Sequence, residues 1–492
     1  MGTKIAITVG CLVVYFGLMV WAAFFSKTGR MENKGDIDEF AVGGRNFGWI
    51  IVLFTLMGLF VTASIYSSWF SWATYEGIFV QYLCVYSVFG FVFTYLFAKR
   101  IWLWGNEYNF LTQPDYIQKR YNSRPLSCLF GVAAILIEAP WIIIEFAAMG
   151  YLMQAVTYGT IPTKLGMVII VFFVMAYIIY SGMKSLAITE LLQGLLSTVV
   201  IIGGFLFIIY KLFGGFAPMF QEVYAAAPDN LTISFGGTYS YGHWSSVIIT
   251  ASLGVMGWAS FFTRIYTSKS IMDVKKVSWW SAIIAVIVCT LLFVVALGGI
   301  LIPDVVEASA DNTGIFKMAE LAGGPWLLGL MGVVVVAAGM SLISVVMNSH
   351  SIIISENFIK PFKPNISSAG RVKVARWTTL IYSLIALLIA LCDIPNLYDI
   401  AIVAYECIAQ VVPMVILSMY WKRSNKFGAG LGFIVGGIIT VAMTVTGASV
   451  LGFSGGVVGL CINILVHVAC GFIFPKDKGV DEMFEVIEKY EG

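Results

Sequence analysis

The sequence predicts an all-α, polytopic membrane protein of about thirteen transmembrane helices. Three observations carry that expectation. The chain of 492 residues is 59% hydrophobic and only 11% charged, with a mean hydropathy of +0.90, whereas a soluble domain carries about 25% charged residues. Its apolar residues gather in runs of about 20 or more, the length a helix needs to cross the hydrocarbon core, where unpaired backbone groups exclude irregular chain. Its positive charges fall almost entirely on alternate connections.

The runs cover 4–26, 47–76, 78–104, 125–156, 163–182, 186–213, 243–264, 277–303, 326–358, 373–393, 397–421, 426–448 and 453–475. The first lacks a small-residue cleavage site at its end and reads as a retained helix. The split near Gly77 leaves almost no loop between two helices. With the N-terminus outside, the cytoplasm receives Lys27, Arg30, Lys34, Arg45, Lys99, Arg100, Lys119, Arg120, Arg124 and Lys184. It also receives Arg264, Lys269, Lys275, Lys276, Lys360, Lys363, Arg371, Lys373, Arg376, Lys422, Arg423, Lys426, Lys476, Lys478 and Lys489. Only Lys4, Lys164, Lys211 and Lys317 stay outside, a split of 25 to 4. One helix more or fewer would scramble this asymmetry, so it sets both the orientation and the odd number of spans. The expected location is the cell membrane, with the C-terminus in the cytoplasm.

Outside connections at 214–242 and 304–325 are long enough for structure of their own, and Gly105–Arg124 reads as an interfacial helix with interleaved Tyr108, Phe110, Tyr116 and Tyr121. The eight cysteines are scattered singly through apolar segments, which suits small buried residues better than metal ligands. No nucleotide loop, catalytic triad or metal motif appears, so neither an enzyme nor a cofactor is expected, nor a nucleic-acid partner.

Polar groups at membrane depth are costly and are functional suspects by default. Glu138 and Glu145 lie two helical turns apart in the fourth run and share one face, with Pro140 freeing a carbonyl between them. They read as a proton-accepting or cation-binding face, or as carboxylates bonded to neighbouring helices. Glu190 and Glu406 are similar cases. Trp69, Trp72, Trp141 and Trp258 fall within helices, as packing residues or as walls for an ammonium held by cation–π contact. Ser341 and Ser344 share a helical face and offer hydroxyls to Na⁺ or to their own backbone. Gly58 in the second run, and Gly254 and Gly257 in the seventh, interrupt spans five helices apart, the pointer to an inverted-repeat transporter with a midplane site.

Four segments resemble the sodium/solute symporter family. They are Asp38–Trp49 with its Gly-Gly-Arg, Tyr116–Arg124 with Arg-Tyr-Asn-Ser-Arg, Ser181–Gly194, and Ala337–Ser344 followed by Asn348-Ser-His-Ser. The resemblance runs in order from about residue 38 to 360. It implies a LeuT-like core of two inverted five-helix repeats, 47–240 and 241–424, after an extra helix and loop at 1–46. Two C-terminal helices at 425–476 and a cytoplasmic tail at 477–492 complete a single transporter domain. It implies a Na⁺ site on carbonyls of Gly58, Val61 and Ala338 and the hydroxyl of Ser341, with Ser344 nearby. It implies substrate contacts at Thr62, Ile65, Tyr66, Cys84, Ser87, Trp141, Trp258 and Phe261, which the side-chain reading extends to Glu138 and Glu145.

The chain departs from the family pattern at Leu342, where a second hydroxyl is usual, at Val345, and at Phe60, where many members carry a polar or acidic residue. The expected function is a secondary active symporter working by alternating access. Its solute would be small and organic, an amino acid, a betaine or amine, or a monocarboxylate, coupled to Na⁺ or H⁺. A transporter-like sensor or facilitator without ion coupling is the alternative. The partners are then the solute, the coupling cation and the lipid bilayer.

Overall fold

The computed structural model describes residues 1–25, 35–180, 183–233, 240–392 and 397–491. Lys27, Arg30 and Lys34, and the Ser181-Gly182 pair that opens one motif, lie outside the described residues.

Helices α1 (Gly2–Phe25) and α2 (Ile37–Val42) precede a span broken in two: α3 (Trp49–Met57) stops at Gly58, and the chain resumes through a π-helical turn at Ile65–Trp69 into α4 (Phe70–Glu76). Next come α5 (Tyr82–Glu107), α6 (Gln113–Tyr121), α7 (Arg124–Val156), α8 (Thr163–Tyr180), α9 (Met183–Phe213) and α10 (Phe216–Ala226). A second bent pair, α11 (Tyr241–Gly254) and α12 (Ala259–Tyr266), opens the other half. It continues through α13 (Ile271–Gly299), α14 (Pro303–Ala310), α15 (Gly314–Ile353), the single turn α16 (Lys360–Phe362), α17 (Ser368–Ala390), α18 (Leu397–Ala409) and α19 (Val412–Tyr420). Helices α20 (Lys426–Thr446), α21 (Gly455–Ile473) and α22 (Val480–Glu491) finish the chain, and no strand forms among the described residues.

By length and composition ten helices among the described residues can cross a membrane, or eleven with the 50° bent pair α11/α12 counted as one span. The sequence predicts thirteen. One difference is that α4 and α5 run on as one apolar stretch beyond the break, leaving α3 too short to count; the other is that α8 falls just below the length for a span. Gly77 still turns the chain between α4 and α5: its φ is +59°, and a Cβ there would collide with the backbone of Asn230. The most apolar stretch of α15 is 94% buried, which makes α15 the central helix.

The segment read as an interfacial helix packs one face against the ends of other helices. Thr112 and Asp115 close a capping box that starts α6. Tyr116 bonds Ser418 at 2.6 Å, Tyr121 donates to the Met414 carbonyl at 2.6 Å, and the fully buried Arg120 donates to carbonyls of Ser418, Trp421 and Ser424 at the end of α19. A guanidinium is well suited to collect the orphan carbonyls of a helix C-terminus. Aromatic residues expected at the lipid interface therefore pack between helices. The acidic tail is also ordered into α22, which buries Met483 and Ile487 and accepts from Trp104 Nε1 at the Met483 carbonyl, 2.7 Å away.

Candidate functional site

The two helix breaks meet helix α7. At the first, the N–H groups of Ala63 and Ser64 begin the half-helix leading to α4. Ala63 N–H donates to Glu145 Oε2 at 2.8 Å, and Ser64 donates to Oε1 from its N–H at 3.1 Å and its hydroxyl at 2.6 Å. At the second, Trp258 is extended (φ −75°, ψ 115°) and supplies no side-chain cap. Ala259 N–H donates to Glu138 Oε1 at 2.7 Å and Ser260 Oγ to Oε2 at 3.0 Å. The two carboxylates, roughly 10 Å apart along α7, thus each fill the positive end of one half-helix, where aligned peptide dipoles favour an anion. The sequence reading had extended the solute contacts to them. Their oxygens accept from backbone N–H groups and serine hydroxyls at the breaks.

The residues expected to hold Na⁺ come together. Gly58, Val61, Ala338 and Ser341 line one cavity of about 30 Å³ with Gln193, Ser197 and Thr198 of α9, room for a water or a small cation. Gly58 is held there by close approach, since a Cβ would overlap the Ser341 hydroxyl. Ser344 does not line this cavity. One turn further along α15, it donates to Glu190 Oε1 at 2.7 Å and to the Ser341 carbonyl at 2.9 Å. Glu190 in turn pairs with Arg264 of α12 at 2.9 Å, both side chains 1% exposed. The sequence counts Arg264 with the cytoplasmic charges because it stands near the end of an apolar run, and the pairing with Glu190 carries no local signal.

Between the breaks lies an aromatic cluster. The Trp141 ring stands 6.2 Å from Trp69, 5.8 Å from Trp258 and 4.9 Å from Tyr405. Phe60 lies 4.3 Å from Phe91 and 6.4 Å from Trp258. Tyr405 donates to the Tyr86 hydroxyl at 2.9 Å, and Trp69 Nε1 to the Tyr82 hydroxyl at 2.6 Å. Trp141 and Trp258, both expected at the solute site, therefore sit together. Sequence reasoning missed Tyr86 and Tyr405, although it singled out their neighbours Ser87 and Glu406.

The other expected contacts spread around this cluster. Thr62 bonds the Ser64 hydroxyl at 2.9 Å, Ile65 and Tyr66 enter the π-helical turn, and the buried Tyr66 hydroxyl has no hydrogen-bond partner. Phe261 is buried in α12. Cys84 is turned toward Thr290 of α13, 3.6 Å away, and Ser87 donates back to the Leu83 carbonyl at 2.7 Å. Glu406 accepts from Thr444 at 2.8 Å, away from the breaks.

Residues 40–436 match the family model described as the sodium:solute symporter family. Over 479 residues the chain is 22% identical to the uncharacterized symporter YhjB of Bacillus subtilis (strain 168), covering 95% of this chain and 98% of that one. It is 24% identical over 530 residues to the osmoregulated proline transporter OpuE of the same organism, covering 99% of each. The fold overlays that of a Na⁺-coupled sialic acid symporter in a substrate-bound outward-open state, with a TM-score of 0.80 at 16% identity over 96% of this chain and 98% of that one. The architecture is thus LeuT-like, and the family works with Na⁺ as coupling ion and without a cofactor. The match over most of its length makes this chain a member of the sodium:solute symporter family, a multi-pass membrane transporter and not an enzyme.

Proposed function

We propose that the protein imports a small organic solute bearing an ammonium group, such as an amino acid or a betaine, by alternating access driven by Na⁺. The observation that carries this reading is the aromatic cluster of Trp69, Trp141, Trp258, Tyr86 and Tyr405 between the two breaks. Aromatic ring faces attract an ammonium by cation–π contact, most strongly when water is excluded. Glu145 and Glu138 occupy the N–H donors at both half-helix ends, where a solute carboxylate would otherwise dock, so the ammonium is the end this site is built to hold. A relative named as a proline transporter carries a solute of this class, and one named as a monocarboxylate permease, at 25% identity, makes a short monocarboxylate the necessary comparison.

Na⁺ would bind at carbonyls of Gly58, Val61 and Ala338 and the Ser341 hydroxyl, an altered site because Leu342 supplies no second hydroxyl. The supporting observation is their shared cavity. The two repeats are taken as 47–240 and 241–424, each with one broken helix near its start. The 25-to-4 charge split supports an outside N-terminus and a cytoplasmic C-terminus.

The test is uptake of labelled proline, glycine betaine and a short monocarboxylate into proteoliposomes under an inward Na⁺ gradient. Na⁺-driven accumulation of proline or betaine is expected. Accumulation confined to the monocarboxylate would overturn the solute class, and binding without accumulation would favour a sensor.

A further inference from the structure

We infer that His350 of α15 and Glu138 of α7 together form a site for one proton, which ties protonation to the second helix break. The proposal rests on the transporter reading above but not on which solute is carried. His350 has no exposed surface, and neither ring nitrogen has a hydrogen-bond partner. Its Nε2 lies 3.3 Å from Glu138 Oε2, near enough to pair as an ion although not aligned as a hydrogen bond. A buried polar group left unpaired is costly, and here two sit on one ring beside a carboxylate.

That carboxylate is the cap of α12. Oε1 is taken by Ala259 N–H and Oε2 by the Ser260 hydroxyl, and a carboxylate accepts about four bonds in all, so Oε2 keeps room for a donor from the imidazole. Addition of one proton to His350 makes an imidazolium that pairs as an ion with Glu138, and the buried pair goes from one net negative charge to none. Nothing leaves the site on loading. On unloading the same proton returns to water, the ring becomes neutral and the carboxylate stays on α12.

Among the described residues, the charged groups on the helices around the pair are matched elsewhere or, for Arg376 of α17, turned to the Phe40 ring 6.0 Å away. From α17, Tyr382 stands 5.4 Å away ring to ring, but its hydroxyl donates to the Ile135 carbonyl at 3.3 Å. From α12, Thr263 bonds Ser349 at 3.3 Å, and Arg264 is matched by Glu190. Further along the chain, Glu356 is paired with Lys360 and Arg371. From α2, Glu39 is paired with Lys184. On α7, Glu145 is engaged at the other break. Because the pair is closed to water here, a proton can enter or leave only when the helices that enclose it, α7, α12, α15 and α17, part.

The chain has three histidines, His243, His350 and His467, so imidazole ¹⁵N spectra of labelled protein in lipid nanodiscs can be assigned with a His350→Gln variant. On acidification from about pH 8.5 to pH 5, the wild-type His350 signal should convert to imidazolium, and in Glu138→Gln that conversion should be reduced. A His350 that stays neutral across the range, or converts equally in Glu138→Gln, overturns the proposal. In proteoliposomes under a fixed inward Na⁺ gradient, an acid exterior should raise proline uptake at least about fivefold in wild type, and His350→Gln should abolish the stimulation. Stimulation that survives in His350→Gln counts against the site. If no solute of the panel moves under any gradient, the solute reading fails, while the spectra still decide on the proton site.

Discussion

Replacing Gly58 by alanine probes the cavity at its tightest point. A Cβ at position 58 would overlap the Ser341 hydroxyl and stand only 3.0 Å from the Ser341 Cβ, with the Thr55 carbonyl 3.6 Å away on the other side. The added methyl has no free side to turn to, so Ser341 must swing out by on the order of 1 Å, an overpacking strain of about 1–3 kcal/mol. If Ser341 is a Na⁺ ligand, that displacement removes its bond and weakens Na⁺ binding by roughly ten- to a hundredfold, at about 1.4 kcal/mol per factor of ten. Ser341→Ala should weaken it in the same direction with the packing intact. The assay is Na⁺-dependent thermal stabilisation of purified protein, with N-methyl-D-glucamine as the control cation, followed by the Na⁺ concentration that half-saturates uptake. Half-saturation unchanged within about twofold in both variants would remove Ser341 and Gly58 from the cation site.

Two further expectations follow from buried charge. Glu190→Gln leaves the Arg264 guanidinium uncompensated at 1% exposure, so stability should fall by about 3–5 kcal/mol, while Glu190→Leu with Arg264→Met should cost much less; additive losses in thermal unfolding would refute a coupled pair. Outside the spans, burial lifts the Asp115 carboxyl above its ordinary value, against bonds from Asn357, Leu111 and Thr112. The native state therefore holds more protons than the unfolded chain in that window. This group's contribution to stability is greatest at low pH and declines as pH rises from the ordinary carboxylate value through the native one. Asp115→Asn should flatten that part of a thermal profile taken from about pH 4 to pH 7, and a profile parallel to wild type would count against it.

The spans were legible because hydropathy is a property of composition, and the breaks because Gly58, Gly254 and Gly257 stand inside otherwise continuous apolar runs. The carboxylates were legible as a shared face of α7, since seven residues fix their phase on one helix. What they face was not legible, because the rotation of α7 against α12 depends on packing between segments some 120 residues apart. The same limit hid the partner of Arg264. It also hid the burial of α6, whose tyrosines have the composition of an interfacial helix and the contacts of a core one. Ser344 shows how close such readings run: it shares the expected face with Ser341, yet one helical turn carries it from the cavity to Glu190.

Helices α7 and α15 hold equivalent places, third in each proposed repeat, yet they have divided the labour between them. Only α7 brings carboxylates to both breaks, and only α15 brings the Ser341 hydroxyl to Gly58 and the imidazole of His350 to Glu138. If the two halves arose from one duplicated ancestor, they are no longer interchangeable. A chain built from two copies of the first half would carry four capping carboxylates and no Ser341, and two copies of the second would leave both breaks uncapped. The chemistry of the two breaks is the property of the pair.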